Sequence, residues 1–462
     1  IYAIIKVKCN RSEHEKDMKR ILGYRCTICG AEFPFEPERM TCPHCGEKGI
    51  LDIVYDYNEI KKTLTRESLA KCRDNSMWRY RDLMPVHEET DVSGFLRIGW
   101  TPLYESRQLA KELGLKKLYI KDDGLNPTAS LKDRASGVAV AKAIELGYDT
   151  IACSSTGNAA SSCAGSAARM GLKAVIFVPE RAPEGKVAQL MIFGAKVVSV
   201  HGDYKATFDL SKAAIEKYGW YNRNAGINPV ITEGKKTVAL EIAEQLRFAP
   251  TDWVACSVGD GCTIGGVYNG FYDLYQLGLI DRIPKILGVQ STGCCPFVDA
   301  ANEGRELKPT EENTIADSIA VGVPRNPRKA LRAVRDSHGA WIAVSDEQIL
   351  DTMRVLGRTE GVFGEPAGVT ATAGVRQAVL NGIIKPDETV TTISTGSGLK
   401  DRARHRDCRD RLRGSATLRC STSRQSVGGP WRDTPSTATG WRHPPENARP
   451  RPRRRRSASC GW

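Results

Sequence analysis

The alternation of strand-like and helix-like segments constrains the fold of this chain more than any other feature. From about Leu118, the strand-like segments LYIKDD, TIACSS and KAVIFVP are followed by the helix-like segments KDRASGVAVAKAIELG, NAASSCAGSAARMG and GKVAQLMIFG. The same alternation continues as far as DWVACSVG, TIGGVYNGFYDLYQLG and KILGVQS. Strands that alternate with helices form parallel sheets with helices on both faces. The sequence therefore predicts an α/β fold with a doubly wound parallel sheet.

Ligands bind to such sheets at the carboxyl ends of the strands, so the loops there are the places to look for chemistry. The first unusual loop is NPTASLKDRAS, in which Lys132 begins a predicted helix among small and apolar residues. A lysine in a first helical turn is often a solvated surface charge. Burial near a helix N-terminus would instead favour the neutral amine, which attacks a carbonyl to form a Schiff base. This loop indicates an aldehyde cofactor.

The second loop is CSSTGNAASS, where a strand ends and a helix begins within a few residues. Ser155 and Thr156 can cap the helix, Gly157 lets an anion approach the backbone, and the amide of Asn158 can donate to a ring oxygen. Capping alone would explain the hydroxyls. It would not require Gly and Asn after them.

The third loop is SVGDGCTIGG, again between a strand and a helix. Gly259 and Gly261 free the backbone so that its N–H groups can surround a phosphate, and Thr263 adds a hydroxyl. A dinucleotide site would have its glycines after the first strand and an acidic residue about 20 positions later. This loop comes late in the alternation, so a single phosphate fits better.

A fourth loop follows the strand-like segment VTTIS, where Thr395 can present a hydroxyl to a pyridine nitrogen. A neutral partner keeps that nitrogen unprotonated, which favours elimination and replacement over transamination. A Schiff-base lysine, a phosphate-binding loop and an amide for a ring oxygen together predict a site for pyridoxal phosphate.

Four of the 15 cysteines stand in YRCTICGAEFPFEPERMTCPHCG, as two pairs separated by twelve residues. Each Cys-x-x-Cys turn can place two thiolates on one side, and four sulfurs complete a closed tetrahedral site. The sequence predicts a structural zinc ribbon ligated by Cys26, Cys29, Cys42 and Cys45. Two disulfides are the alternative, but the other cysteines have no framework spacing.

The positive charge of the chain is concentrated at its C-terminus. Residues 401–462 contain 16 Arg, no Lys and five acidic residues, so they carry +11 of the formal charge of +13. This Arg- and Pro-rich segment lacks helical or strand periodicity, which predicts disorder. It could be an RNA-binding arm. We favour a shifted reading frame, because lysine, frequent before Lys400, is lost abruptly.

No apolar run reaches the roughly 18 to 20 residues that span a bilayer, and the first residues lack the features of a secretory signal. The sequence therefore predicts a cytoplasmic protein without a membrane partner. Nucleic acid is expected as a partner only if the Arg-rich segment is native.

From about residue 20 to 400, these motifs in this order resemble the threonine synthases, in the tryptophan-synthase-β-like family of fold type II pyridoxal phosphate enzymes. The resemblance rests on the CTIC and CPHCG pairs, MWRYRDLMPV, GWTPL, NPTASLKDR, SSTGN, VGDGCTIGG, GVFGEPAGVTATAG and ISTGSGLKD. It implies two doubly wound αβα subdomains with the cofactor in the cleft between them. The implied organisation is a zinc-ribbon segment over 1–57, a catalytic domain over 58–400 and the tail over 401–462, in a homodimer.

The resemblance also implies a lyase that converts O-phosphohomoserine and water to threonine and phosphate. Lys132 would be both the cofactor's anchor and the proton shuttle. The implied cofactor-binding residues are Lys132, Asn158, Gly259, Asp260, Gly261, Cys262, Thr263 and Thr395. The candidates for binding the substrate and its phosphate are Ser155, Thr156, Lys235 and Lys236.

Two positions of the phosphate loop depart from the family's pattern, because Asp260 and Cys262 stand where an Asn and a Gly are usual. A carboxylate facing a phosphate would repel it, so we expect the side chain of Asp260 to point away while its backbone N–H contributes. A related β-elimination or β-replacement enzyme, such as a serine/threonine dehydratase or a cysteate-synthase-like enzyme, would share the cofactor residues. A nucleic-acid-binding protein on a vestigial enzyme fold is the more remote alternative.

Overall fold

The computed structural model describes residues 18–400, apart from Thr156, Arg181, Pro183 and Asp203. The predicted Arg-rich tail and the first 17 residues lie outside the described residues. Within this range the strands are β1 Ile21–Cys26, β2 Glu32–Phe33, β3 Thr41–Cys42, β4 Gly46–Tyr55, β5 Leu103–Ser106, β6 Lys117–Asp122, β7 Thr150–Ser154, β8 Lys173–Pro179, β9 Lys196–Val200, β10 Tyr221–Asn222, β11 Trp253–Ser257, β12 Lys285–Ser291, β13 Ala340–Val344 and β14 Thr389–Ser394.

The α-helices connect these strands. They are α1 Tyr57–Ile60, α2 Arg66–Lys71, α3 Gln108–Glu112, α4 Lys132–Glu145, α5 Asn158–Met170, α6 Glu184–Ile192, α7 Tyr204–Tyr218, α8 Val230–Gln245, α9 Cys262–Gln276, α10 Pro296–Glu303, α11 Pro327–Asp336, α12 Asp346–Glu360 and α13 Pro366–Leu380. Short 3-10 helices occupy Met77–Leu83, Asp123–Leu125, Asp317–Ile319 and Gly398–Lys400.

The first four strands form a small antiparallel sheet in the order β2-β1-β4-β3. The longest of them, β4, buries Leu51, Ile53 and Tyr55 on one face, as the two-residue period of a strand requires. Its buried side chains join the main hydrophobic core of the protein. The small sheet is therefore packed onto the body of the protein rather than tethered to it.

The remaining strands form two sheets. A four-stranded parallel sheet has the order β10-β7-β8-β9, and a six-stranded sheet has the order β13-β12-β11-β14-β6-β5. The predicted α/β architecture is confirmed. The expectation of wholly parallel pairing fails at one edge, because β5 pairs antiparallel with β6. That strand belongs to the stretch GWTPLYES, which precedes the alternation, and only the short helix α3 separates it from β6.

Helix α8 begins at Val230, seven residues before the apolar-rich stretch TVALEIAEQL. The side chain of Asn228 accepts a hydrogen bond from the N–H of Val230 at 3.0 Å, which supports the early start. The added turns carry Glu233, Lys235 and Lys236, all of them buried. Their burial makes these charged side chains part of the interior.

A cluster of four charged side chains lies in the interior of the protein, and none of the four is exposed to solvent. Arg134 on α4 binds Asp123 at 2.7 Å and Glu241 on α8 at 2.5 Å. Lys121 on β6 binds the other oxygen of Glu241 at 2.7 Å. Burial alone would raise the pKa of Glu241, but Arg134 and Lys121 lower it to about 2. The cluster therefore joins β6, α4 and α8 with its charges balanced.

The small sheet is joined to the body by two further groups of buried charges, both on β4. Asp52 binds Lys329 at 3.0 Å and Arg332 at 2.7 Å, both on α11. The hydroxyl of Tyr55 donates to Glu233 of α8 at 2.7 Å. Strand β4 thus contacts two helices that also approach the loops at the carboxyl ends of the sheet strands.

We expect Arg134→Met to lower the free energy of unfolding by about 3 to 5 kcal/mol, because it leaves two buried carboxylates without their shared cation. Urea unfolding followed by circular dichroism measures the change. The matched control is Arg25→Met, which removes an exposed pair with Glu32 and should cost less than about 1 kcal/mol. Equal losses in the two variants would contradict a structural role for the buried cluster.

Candidate active site

Three of the four loops singled out in the sequence meet at one cavity at the carboxyl ends of the larger sheet. Lys132, the loop from Ser257 to Thr263 and Thr395 all line it. Lys235 and Glu365 line it as well. Residues separated by more than 260 positions in the chain are thereby placed around one space, as the geometry of parallel strands predicts.

Lys132 is the first residue of α4, and the turn before it fixes its position. Ala129 has φ of 63°, in the left-handed region that residues with a side chain seldom adopt. Two hydrogen bonds hold this conformation: the N–H of Ala129 donates to Asn126 at 2.7 Å, and its carbonyl accepts from Ser397 at 3.0 Å. A third hydrogen bond, from the N–H of Leu131 to the carbonyl of Thr395 at 2.9 Å, fixes the residue before Lys132.

The amine of Lys132 loses its proton more readily than that of an ordinary lysine. Burial and the positive charge of Lys235 lower its pKa from 10.5 to about 8, and Arg223 lowers it further. Glu365 acts in the opposite direction. Near neutral pH a substantial fraction of this lysine is therefore the neutral nucleophile that a Schiff base requires.

The glycine-rich loop ends at Gly261, which precedes α9 and has φ of 84°. A Cβ added to Gly261 would lie 2.7 Å from the carbonyl oxygen of Asn326, so only glycine fits this position. In the part of the chain that the structure describes, no side chain caps α9. Its first N–H groups are thus available for an anion, and the helix dipole adds to their positive potential.

Asp260 directs its carboxylate to the loop that precedes α11. It accepts hydrogen bonds from the N–H of Arg325 at 2.7 Å and from the side chain of Asn326 at 3.2 Å. Burial raises its pKa, against the opposing charge of Arg325. The two hydrogen bonds give this acidic side chain a structural partner, which accounts for an acid inside a loop expected to bind phosphate.

Asn158 begins α5, and its amide donates to Glu365 at 2.7 Å. Glu365 precedes Pro366 at the start of α13, where helix capping would be the simple explanation for an acid. Its side chain makes no cap hydrogen bond and lines the cavity instead. The sequence analysis did not identify Glu365 as a residue of the site, because an acid before a helix that begins with proline is usually explained by capping.

The predicted substrate-binding residues are not brought together as a group. Lys235 lines the cavity, whereas Lys236 binds Glu233 at 2.5 Å and Asp273 at 2.7 Å. Successive helical residues point about 100° apart, so the two lysines face different surroundings, and of the two only Lys235 lines the cavity. Ser155 is half-buried, and its hydroxyl accepts from the N–H of Gly157 at 3.2 Å. Thr156 lies outside the described residues.

The four predicted ligand cysteines of the small sheet do come together. The Sγ atoms of Cys26, Cys29, Cys42 and Cys45 all lie within 4.8 Å of one another. Those of Cys29 and Cys42 are 3.8 Å apart. A Cβ added to Gly49 would lie 2.5 Å from the Cβ of Cys42. The close packing of β4 against the cysteines therefore requires a residue without a side chain at position 49.

Comparison with known proteins shows the family to which the chain belongs. The family model for pyridoxal-phosphate dependent enzymes matches residues 95–396. The chain therefore belongs to this family of pyridoxal-phosphate dependent enzymes.

Sequence similarity to individual proteins places the chain in one group of enzymes within this family. The chain is 40% identical to the threonine synthase of Methanocaldococcus jannaschii over 380 residues, which is 82% of this chain and 92% of that protein. It is 41% identical to the threonine synthase of Methanosarcina acetivorans, with the same coverage. Within its family the chain thus belongs with the threonine synthases, and it is a pyridoxal phosphate-dependent lyase.

Solved structures support the fold alone. A processed threonine deaminase from Solanum lycopersicum has a TM-score of 0.59 and 22% identity, over 70% of this chain and 85% of its own. Maize serine racemase has a TM-score of 0.57 and 22% identity, over 68% and 93%. Among the described residues, no helix is both long enough and apolar enough to cross a membrane.

The lowered pKa of Lys132 predicts how the protein captures its cofactor. At pH 7.4 about a fifth of this amine is neutral, against about a thousandth of an ordinary lysine. We expect the rate at which cofactor-free protein forms the visible band of lysine-bound pyridoxal phosphate to rise with a midpoint near pH 8. A Glu365→Gln variant should shift the midpoint to lower pH, because it removes a negative charge that raises this pKa. A midpoint above pH 10 would contradict the burial of Lys132.

Proposed function

We propose that this protein converts O-phosphohomoserine and water to threonine and phosphate, as a threonine synthase. One observation carries the proposal: a half-buried lysine with a pKa lowered to about 8 shares a cavity with the uncapped N-terminus of a helix. A neutral amine and a phosphate-binding backbone are the two features that pyridoxal phosphate needs. The similarity to threonine synthases over most of the chain supports the reaction.

The residues of the cavity fit this cofactor. We assign the aldehyde to Lys132, and the phosphate to the backbone N–H groups from Gly259 to Thr263 together with the hydroxyl of Thr263. Thr395 is assigned to the ring nitrogen. Asn158 is assigned to the ring oxygen, and its hydrogen bond to Glu365 orients its amide. When bound, the cofactor supplies an electron sink that stabilises negative charge on the carbons of an amino acid.

The reaction removes protons from the α and β carbons of the substrate, expels phosphate from the γ carbon and adds water at the β carbon. Lys132 is the group of the cavity best suited to take and return these protons, because a pKa near 8 allows both at neutral pH. The two parallel sheets border the cavity, through the loops of the larger sheet and through Ala225 after β10. We assign the cofactor to the cleft between them.

We also propose that the four clustered cysteines hold a structural zinc ion. Four thiolates complete a tetrahedral site, which leaves no position for substrate, and sulfur atoms 3.8 Å apart match such a site. The ion would fix the end of β4 that lies opposite Asp52 and Tyr55. A homodimeric state and a cytoplasmic location, which the family resemblance implies, complete the proposal.

Lys132→Ala tests the reaction and the cofactor together. The wild-type protein should show the band of lysine-bound cofactor and should form threonine and phosphate in equal amounts from O-phosphohomoserine. The variant should lack the band and lose at least about 1000-fold in turnover, since it lacks both the anchor and the proton carrier. Formation of 2-oxobutanoate instead of threonine would point to a dehydratase and reject the proposal.

Elemental analysis tests the zinc site. We expect about one zinc ion per chain, and less than about a tenth of that in Cys29→Ser, because a closed structural site needs all four thiolates. Cys72→Ser is the matched control, since Cys72 lies outside the cluster, and it should retain the metal. Equal zinc contents in the two variants would place the metal elsewhere.

A further inference from the structure

Two buried thiols face each other across the loop that joins β7 to α5. Cys153 is the fourth residue of β7, and Cys163 stands in the second turn of α5. Both are free and buried, and their side chains lie close enough to form a hydrogen bond with each other. Neither belongs to the cysteine cluster of the small sheet, and neither is among the residues that line the cavity.

A buried arginine is held against the residues that precede both cysteines. The backbone N–H of Arg223 donates to the carbonyl of Ala152 at 2.9 Å, and its Nε donates to the hydroxyl of Ser136 at 3.0 Å. That hydroxyl is hydrogen-bonded in turn to the hydroxyl of Ser162 at 2.7 Å. Ala152 directly precedes one of the two cysteines in the chain, and Ser162 directly precedes the other. The arginine is thus tied to both sides of the thiol pair.

No carboxylate of the described residues pairs with this arginine. Arg223 is 1% exposed, and its Nη2 is buried without a hydrogen-bond partner in the same part of the chain. An unpaired buried charge is costly. The two thiols are nearby groups that can become anions, and the charge of Arg223 acts to lower the pKa of each. A thiolate at this place would give the arginine its counter-charge.

The two thiols are not equivalent. The hydrogen bond from Cys163 lowers the pKa of Cys153, and the charge of Arg223 adds to this effect against that of burial. The pKa of Cys163 is raised, by the hydrogen bond with Cys153 and by burial. The thiolate is the form of cysteine that reacts with oxidants. Cys153 is therefore suited to react first, and Cys163 to close the bond.

We propose that Cys153 and Cys163 form a redox-active pair that closes to a disulfide when the protein is exposed to hydrogen peroxide. The thiolate of Cys153 attacks one peroxide oxygen, which breaks the O–O bond, oxidises the sulfur to a sulfenic acid and releases hydroxide. The sulfur of Cys163 then attacks the oxidised sulfur, so that the S–S bond forms, the S–O bond breaks and the oxygen leaves as water. Two thiols and one peroxide give one disulfide and two waters.

The disulfide would move a residue assigned to the cofactor, a consequence that rests on the proposed function. Bond formation draws the two sulfur atoms well inside hydrogen-bond distance, so α5 must shift against β7. Asn158 begins α5 and donates to Glu365 at 2.7 Å, so its amide moves with the helix. A misplacement of about 1 Å can cost about 100-fold in rate. The oxidised protein should therefore be less active until a dithiol reductant opens the bond.

Peptide masses test the pair without any assay of turnover. The tryptic peptide over residues 143–169 contains Cys153, Cys163 and no other cysteine. When the cofactor-loaded protein is treated with hydrogen peroxide and its free thiols are then alkylated, this peptide should carry no alkyl group and be two hydrogen atoms lighter than the dithiol. Dithiothreitol before alkylation should give the doubly alkylated form. A peptide doubly alkylated despite peroxide, or one with added oxygen in place of the bridge, would overturn the pair.

Variants of the arginine test its part in the reaction. Arg223→Met should slow the formation of the disulfide about 10-fold, because it removes the charge that favours the thiolate. Arg223→Lys keeps the charge and should recover part of the rate. The matched control is Arg282→Met, a half-exposed position that pairs with Asp252, and it should be oxidised as fast as the wild type. Equal rates in Arg223→Met and the wild type would overturn the role assigned to the arginine.

Turnover separates this inference from the proposed function. Peroxide should lower the rate at which the wild type forms threonine from O-phosphohomoserine at least about 10-fold, and dithiothreitol should restore it. Cys153→Ala lacks the thiol that reacts first and should keep its rate, whereas Cys72→Ser should respond as the wild type does. Equal inactivation of Cys153→Ala and the wild type would overturn the effect on activity. If no form converted O-phosphohomoserine, the proposed function would fall, while the peptide masses would still decide whether the bond forms.

Discussion

The pairing of Arg134 with Asp123 and Glu241 is the interaction on which the rest of the site depends. Arg134 stands two residues after Lys132, so the ion pair that fixes the guanidinium also fixes the start of α4. Glu241 extends the contact to α8, the helix that carries Lys235. Two cations and two carboxylates leave this cluster neutral, and it can therefore be buried without an outside ion. The reactive lysine is thus positioned by a group that takes no part in the chemistry.

The buried lysines of α8 differ in whether a carboxylate pairs with them. Lys236 forms ion pairs with Glu233 and Asp273, while Lys235, the preceding residue, forms no ion pair among the described residues. The difference follows from the direction in which each side chain leaves the helix. Lys236 lies over the ring of Tyr55 on the small sheet and binds carboxylates on α8 and α9, whereas Lys235 faces the cavity. The positive charge of Lys235 in the cavity favours the neutral form of the neighbouring Lys132 amine, so the direction of one side chain affects the reactivity of another.

The alternation of strands and helices could be predicted from the sequence because burial periodicity is a local property. The loops that form the site could be predicted for the same reason, since parallel strands place their carboxyl ends together. Side-chain partners could not, because they depend on contacts between distant segments. Arg223 meets Ser136 across 87 residues, and Asn158 meets Glu365 across 207. The edge strand β5 and the orientation of Lys236 escaped prediction likewise, since neither leaves a periodic signal.

Strand β4 is a shared element of the small sheet and the catalytic body. One end closes the cysteine cluster, and the other supplies Asp52 and Tyr55 to helices α11 and α8. Without the small sheet, Lys329 would therefore be buried without its carboxylate partner Asp52, and Glu233 would lose the hydrogen bond from Tyr55. The small sheet therefore cannot act as an exchangeable module. A lineage that gained or lost it would also have had to replace charged residues on two helices of the catalytic body, so the two parts are bound to evolve together.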